Sequence, residues 1–320
     1  MSKGSSDILK ASEIIKRGGV VAFPTETVYG LGANALNPIA VAKIFALKER
    51  PSFDPLIVHI CSFDQISLVA EEISPLVKEL TDKFWPGPLT IVLPKKSIVP
   101  DIVTSGLSTV GVRMPDNSIA LELIKECGTP LAAPSANKFG NLSPVKASHV
   151  KKQLPDVDFV LDGGKTKGGI ESTIVSVKGN ICTLLRPGLI TLEDIERVMP
   201  QKFIFANDKP EEIIAPGLLK SHYSPSKPLY ITDLSKIVFP ENSGVIIHSK
   251  REDLNVKKII CTSADCTLTE VAANLFSAMH TMEEDDDISQ IYIESVVEKG
   301  LGIAIMDRVK KAAYRYTMSC

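Results

Sequence analysis

No apolar run in the 320-residue sequence approaches the roughly 18 to 20 residues that a membrane-spanning helix needs, which excludes such a helix. The six cysteines (Cys61, Cys127, Cys182, Cys261, Cys266 and Cys320) form no C-x-x-C pair and have no histidine at zinc-finger spacing, so reduced thiols are expected. The first residues, "MSKGSSDILKASEIIKRGG", lack the apolar core of a secretion signal, and the expected address is cytoplasmic. There is no P-loop, no H-E-x-x-H, no G-x-S-x-G, no kinase signature and no G-x-G-x-x-G, which closes the commonest motif-based routes to a mechanism. Strong net charge is missing too: the balance is −2. It is uneven, with 23 Lys/Arg against 21 Asp/Glu in residues 1–205 and 13 against 17 in 206–320, so an anionic ligand belongs more naturally to the first part.

What is present is an alternation of short apolar runs with helical patterns, the mark of an α/β protein. Strands are expected at "VVAF" (20), "LIVHI" (56), "TIVLP" (90), "TVGVRM" (109), "PLAAP" (130), "FVLD" (159), "TIVSV" (173) and "ICTLL" (181), the last two as a hairpin about Gly179-Asn180. Ile8, Ala11 and Ile15 share a helical face, Pro38 stands near a helix start, and Thr191 is placed to cap another helix. After Met199 the texture becomes irregular and proline-rich. The expected organisation is a catalytic domain over 1–205, a linker or lid over 206–227 and a small Rossmann-like domain over 228–320. In that last part "LYITDL", "SGVIIHS", "KKIICTS" and "QIYIES" read as strands, and Leu268 to Met279 and Ile305 to Tyr316 as helices.

Compact polar islands stand at the ends of the expected strands: "PTETVYGLG" at 24, "KERPSFDPLIVHI" at 48, "STVGVRMP" at 108, "PSANKFGNLSP" at 134, "GGIESTIV" at 168 and "LLRPG" at 184. Singly, each has an ordinary explanation. Lys48 and Arg50 complement a helix dipole, "PSAN" makes a turn, Arg113 is an edge cation and His59 a core histidine. Together, cations, hydroxyls and glycines at successive strand ends describe a polyphosphate site without a P-loop.

In order along the chain, "PTETVYGLG", the K-x-R of "KERP", the S-x-N of "PSAN", "ESTIV" and "LLRPG" resemble the threonylcarbamoyl-AMP synthase family, whose catalytic module is YrdC-like; "APGLLKSHYSP" resembles the linker of its longer, two-domain branch. The resemblance implies an α/β fold with a YrdC-like twisted mixed sheet, and an enzyme, a nucleotidyltransferase, that makes threonylcarbamoyl-AMP and pyrophosphate from L-threonine, bicarbonate or CO2, and ATP. Mg2+ accompanies the nucleotide, and no residue is assigned as a metal ligand. The product serves tRNA modification, through a transient hand-off to a transferase complex, with no membrane involved and no direct RNA binding required. By the same carry-over Thr27, His59, Arg113, Ala133 and Ser172 face threonine, and Lys48, Arg50, Thr109, Ser135, Asn137, Ser143, Arg186 and Tyr223 face ATP, with Lys48 and Arg50 neutralising its phosphates. Asp54 is grouped with the nucleotide side although the family often carries Asn or Lys there: an anion at that place repels phosphate unless it holds a metal ion or faces away.

Overall fold

The computed structural model describes residues 3–317 apart from 72, 180, 199–202, 206–215, 218, 220, 235–236 and 252–253. Ten strands form one mixed sheet: β1 (Val21–Phe23), β2 (Gly30–Asn34), β3 (Ile57–His59), β4 (Leu89–Pro94), β5 (Thr109–Arg113), β6 (Leu131–Ala132), β7 (Phe159–Val160), β8 (Thr173–Lys178), β9 (Ile181–Arg186) and β10 (Phe203–Phe205). Their spatial order is β10-β9-β8-β4-β5-β3-β6-β2-β1-β7. The helices of this part are α1 (Lys3–Lys16), α2 (Pro38–Lys48), α3 (Ile66–Val69), α4 (Pro75–Phe84), α5 (Asp101–Thr104), α6 (Ser118–Cys127), α7 (Ala147–Gln153) and α8 (Leu192–Val198). Alternation along β1 covers both faces. Ala22 packs into the largest cluster with Val41 and Ile44 of α2 and Leu80 of α4, while Val21 and Phe23 pack with Ile15 of α1 and Leu123 of α6.

Local chemistry sets the helix ends. The Asn37 side chain accepts from the amides of Ile39 and Ala40 ahead of Pro38, and α2 stops at Glu49 in the left-handed conformation (φ 53°). Asn117 caps α6 in the same way, and Gly128 (φ 68°) ends it. Thr191 Oγ1 accepts from the Asp194 amide, as expected of a cap.

Strand β2 departs from the sequence reading, which has no strand between "VVAF" and "LIVHI" and puts "PTETVYGLG" among the polar islands. It pairs antiparallel with β1, Phe23 opposite Gly30 and Val21 opposite Gly32. The Phe23 ring lies across the glycines: a Cβ on Gly32 would stand 2.6 Å from Phe23 Cε1. These glycines therefore make room for an aromatic ring, which disguises a strand as a loop.

The second part contains a parallel four-stranded sheet, ordered β11-β14-β12-β13, built from β11 (Leu229–Ile231), β12 (Ser243–Ile247), β13 (Lys258–Cys261) and β14 (Gln290–Ile293). Helices α9 (Leu268–Glu283) and α10 (Leu301–Thr317) pack on it. The two parts share a buried cluster in which Val28, Leu142, Val145 and Ile170 meet Phe276, Met279 and Val309. Gly169 (φ 75°) permits the contact, since a Cβ there would lie 2.3 Å from the Ala272 carbonyl. No helix among the described residues is long and apolar enough to cross a membrane.

Candidate functional site

One cavity gathers the islands at the strand ends. Its wall includes Thr25, Thr27, Tyr29 and Gly30 from the β1–β2 connection, Arg50, Ile57 and His59 around β3, Arg113 at the end of β5, and Ala133 to Ser135 after β6. Glu171, Ser172 and Arg186 close another side, and Pro216, Gly217, His222 and Tyr223 close it from above. Among the described residues, the wall therefore holds three guanidiniums, Arg50, Arg113 and Arg186, and one carboxylate, Glu171.

The threonines of "PTET" hold a tight local fold. Thr25 Oγ1 donates to the Val28 carbonyl at 2.6 Å and accepts from the Thr27 amide at 3.1 Å. Thr27 Oγ1 then accepts from Arg113 Nη2 at 3.0 Å, and the same guanidinium nitrogen lies 2.6 Å from Glu26 Oε1. Arg113 Nε reaches the Gly87 carbonyl at 3.4 Å. This cation is fixed in place before any ligand arrives. His59 sits edge-on to Phe23, its Nδ1 3.3 Å from the Ile57 carbonyl. Burial, reinforced by Arg113, lowers its pKa to about 3, so it is a neutral imidazole. It is both a core histidine and a wall residue.

Ser172 Oγ contacts Thr90 Oγ1 at 2.9 Å and accepts from Arg186 Nη2 at 3.2 Å. Arg186 also donates to the carbonyls of Ser172 and Pro216, so its described partners are all uncharged. Arg50 donates through Nε to the Asp54 carbonyl at 3.0 Å and through Nη2 to the Pro55 carbonyl at 2.9 Å. Burial lowers the pKa of both arginines from the ordinary value, an unfavourable state that an entering anion relieves.

Asp54 does not line the cavity. Its carboxylate lies 2.9 Å from Arg50 Nη2 and both groups are buried; burial raises its pKa against the pull of Arg50, Lys48 and Arg186. The anion is paired with Arg50, whose own side chain belongs to the cavity wall.

Several residues that the resemblance aims at ATP stand behind the wall. The Lys48 ammonium donates to the Ser135 and Asn137 carbonyls at 2.6 and 2.5 Å, and burial lowers its pKa well below the usual value. Asn137 Nδ2 donates to the carbonyls of Lys138 and Asn141. Ser143 Oγ donates to Glu171 Oε1 at 2.5 Å. Thr109 lines an adjoining crevice with Pro55, Thr104 and Pro216. Thr27, Arg50, His59, Arg113, Ala133, Ser135, Ser172, Arg186 and Tyr223 do share the cavity.

Tyr223 is almost wholly buried, in the left-handed conformation (φ 59°), its ring against His222 and Phe276. Of the quoted "APGLLKSHYSP", Ala215, Leu218 and Lys220 lie outside the described residues, as do 206–214. Sequence reasoning passes over Thr25 and Glu171 as site residues, although both stand inside quoted islands. It also passes over Arg308 and Lys311, whose contacts with the site cross most of the chain.

The described residues include one cluster of metal-binding type away from the cavity, His149, His280 and Glu284. The two rings stack at 3.7 Å with 26° between their planes; His149 Nδ1 accepts from the Val145 amide, and His280 Nε2 lies 3.0 Å from the Ser143 carbonyl.

Two family models match the chain: residues 13–188 match one described as telomere recombination, covering Sua5, YciO and YrdC, and residues 190–314 match the C-terminal domain of threonylcarbamoyl-AMP synthase. The threonylcarbamoyl-AMP synthase of Pyrococcus abyssi is 42% identical over 316 residues, covering 95% of this chain and 93% of that protein. That of Bacillus subtilis is 41% identical, covering 98% and 94%. The crystal structure of P. abyssi Sua5 complexed with L-threonine superposes with a TM-score of 0.88 at 40% identity, covering 96% of this chain and 94% of that one.

Proposed function

The chain belongs to the two-domain threonylcarbamoyl-AMP synthase family, and from that membership and the chemistry of the cavity we propose that it is a nucleotidyltransferase joining L-threonine, bicarbonate or CO2, and ATP into threonylcarbamoyl-AMP. The observation that carries the reading is the convergence of Arg50, Arg113 and Arg186, one of them prefixed beside a threonine-rich turn, on one small cavity.

In this reading Arg113 takes the threonine carboxylate, and Thr27, Ser172, neutral His59 and the backbone at Ala133 enclose the rest of the amino acid. The unprotonated amine forms its bond to the carbon of CO2 as one C=O electron pair moves onto oxygen, and the nitrogen gives up a proton to water or bicarbonate, leaving a carbamate. A carbamate oxygen then forms a bond to the α-phosphorus of ATP, the bond from that phosphorus to the bridging oxygen breaks, and pyrophosphate leaves with the electron pair. No protein nucleophile is required. Positioning and charge neutralisation are the protein's contribution, with Arg50 and Arg186 nearest the phosphates. Lys48 supports them by fixing the 135–137 turn.

Mg2+ travels with the nucleotide in this account. The cavity's carboxylate is already engaged by Ser143 and Arg308, so the protein groups suit an ion held by phosphate and water. The product passes to a transferase complex that modifies tRNA, and we place both in the cytoplasm.

The test is pyrophosphate release with ATP, threonine and bicarbonate supplied together or with one omitted. Release is expected only with all three. Equal release without threonine or without bicarbonate refutes the reaction.

A further inference from the structure

Glu171 is an anomaly in a cavity otherwise suited to anions, because a carboxylate in its wall repels phosphate. Both of its oxygens are engaged. Oε1 accepts from Ser143 Oγ at 2.5 Å, and Oε2 accepts from Arg308 Nε at 2.8 Å. Arg308 belongs to α10, in the other part of the molecule, 137 residues further along the chain. It is wholly buried, its Nη1 lies 2.6 Å from Asp307 Oδ2, and its guanidinium carbon is 5.4 Å from the centre of the Tyr223 ring. One turn on, Lys311 Nζ donates to the Gly217 carbonyl at 2.7 Å. A single stretch of α10 therefore touches the one acid of the wall and the segment that closes the cavity.

We infer that Arg308 is a positioning residue of the nucleotide site: the C-terminal part of the molecule neutralises Glu171 and holds its oxygens, so that the wall accepts the phosphates of ATP. The inference rests on the ATP reading above. A buried pair is strongly perturbed when one partner is removed, because the other charge is left uncompensated. A structural staple and a charge screen both predict loss from such a change. They differ in what restores it.

The experiment uses the full chain and nucleotide titration as the primary measure, with thermal unfolding to confirm that each variant is folded. Arg308→Met is expected to weaken ATP binding at least tenfold while the KM for threonine changes less than threefold. Adding Glu171→Gln to that variant is expected to bring ATP affinity back to within threefold of the unsubstituted protein. Unchanged ATP affinity in Arg308→Met, or a double variant no better than the single one, overturns the inference. Should Arg308→Met fail to fold, Arg308→Lys takes its place: it keeps the charge, ATP affinity within threefold is expected, and a tenfold loss overturns the inference. If the unsubstituted protein itself binds no ATP, it is the functional reading that fails.

Discussion

Lys48 Nζ sits 2.5 Å from the carbonyl oxygen of Asn137 and 2.6 Å from that of Ser135, which ties the end of α2 to the turn after β6. Replacing Lys48 with Met leaves a buried carbonyl, that of Asn137, and a part-buried one, that of Ser135, without this donor. The expected cost is about 1–3 kcal/mol of stability, read from urea unfolding, together with weaker ATP binding because Ser135 lines the cavity. A helix-dipole role alone predicts less than about 1 kcal/mol and normal nucleotide affinity.

Arg113 is held as a fork by Thr27, Glu26 and Gly87, and a lysine keeps its charge without that geometry. Arg113→Lys is expected to lower kcat/KM for threonine by at least about tenfold and to leave the KM for ATP within about threefold. The check is to vary threonine at saturating ATP and bicarbonate. Equal losses for both substrates would show that Arg113 does not belong to the threonine side.

The stacked histidines give a pH dependence. Burial, with His280 beside it, lowers the pKa of His149 to about 3, and burial, opposed by Ser143, Glu284 and Glu283, lowers that of His280 to about 4. Unfolded, each titrates near 6.5, so between pH 6.5 and 4 the unfolded chain binds protons that the folded chain refuses. Stability is therefore fully present above pH 6.5 and falls as the pH is lowered. His280→Asn should shrink the loss between pH 7 and 4.5 by about 2–3 kcal/mol, measured by urea unfolding at the two pH values. An unchanged loss contradicts the assignment.

Much of this arrangement is legible in the sequence where local chemistry decides it. The β8–β9 hairpin turns at Gly179, in a left-handed conformation, and Asn37-Pro38 starts α2 as capping rules require. The four strands and two helices of the second part follow from plain alternation of period. Strand β2 is illegible because its glycines answer to the ring of Phe23, a tertiary contact. The resemblance turns Lys48 toward the phosphates of ATP, and nothing local to "KERP" shows that its ammonium is held by a turn 87 residues later. Glu171 stands inside "ESTIV" and Arg308 in a helical pattern, but nothing local pairs them, since an ion pair between residues 137 apart leaves no period.

The last expectation concerns the segment above the cavity. Pro216, Gly217, His222 and Tyr223 cover the cavity on this side. Among the described residues the segment's polar attachments include Arg186 to the Pro216 carbonyl, Lys311 to the Gly217 carbonyl, the His222 amide to the Lys311 carbonyl and the Ser224 amide to the Gly140 carbonyl, beside the packing of Tyr223 on Phe276 and of His222 on Phe139. The hydrogen bonds are exchangeable for water, and the ring packing is what opening gives up. Closure over bound substrates would then keep water from the mixed anhydride. ATP with threonine is expected to slow proteolysis within residues 206–225, and Tyr223→Ala to weaken ATP binding, since the ring lies against the cavity. Cleavage at the same rate with and without both ligands, together with normal ATP affinity in Tyr223→Ala, would make the segment a fixed wall and require another way in for the nucleotide.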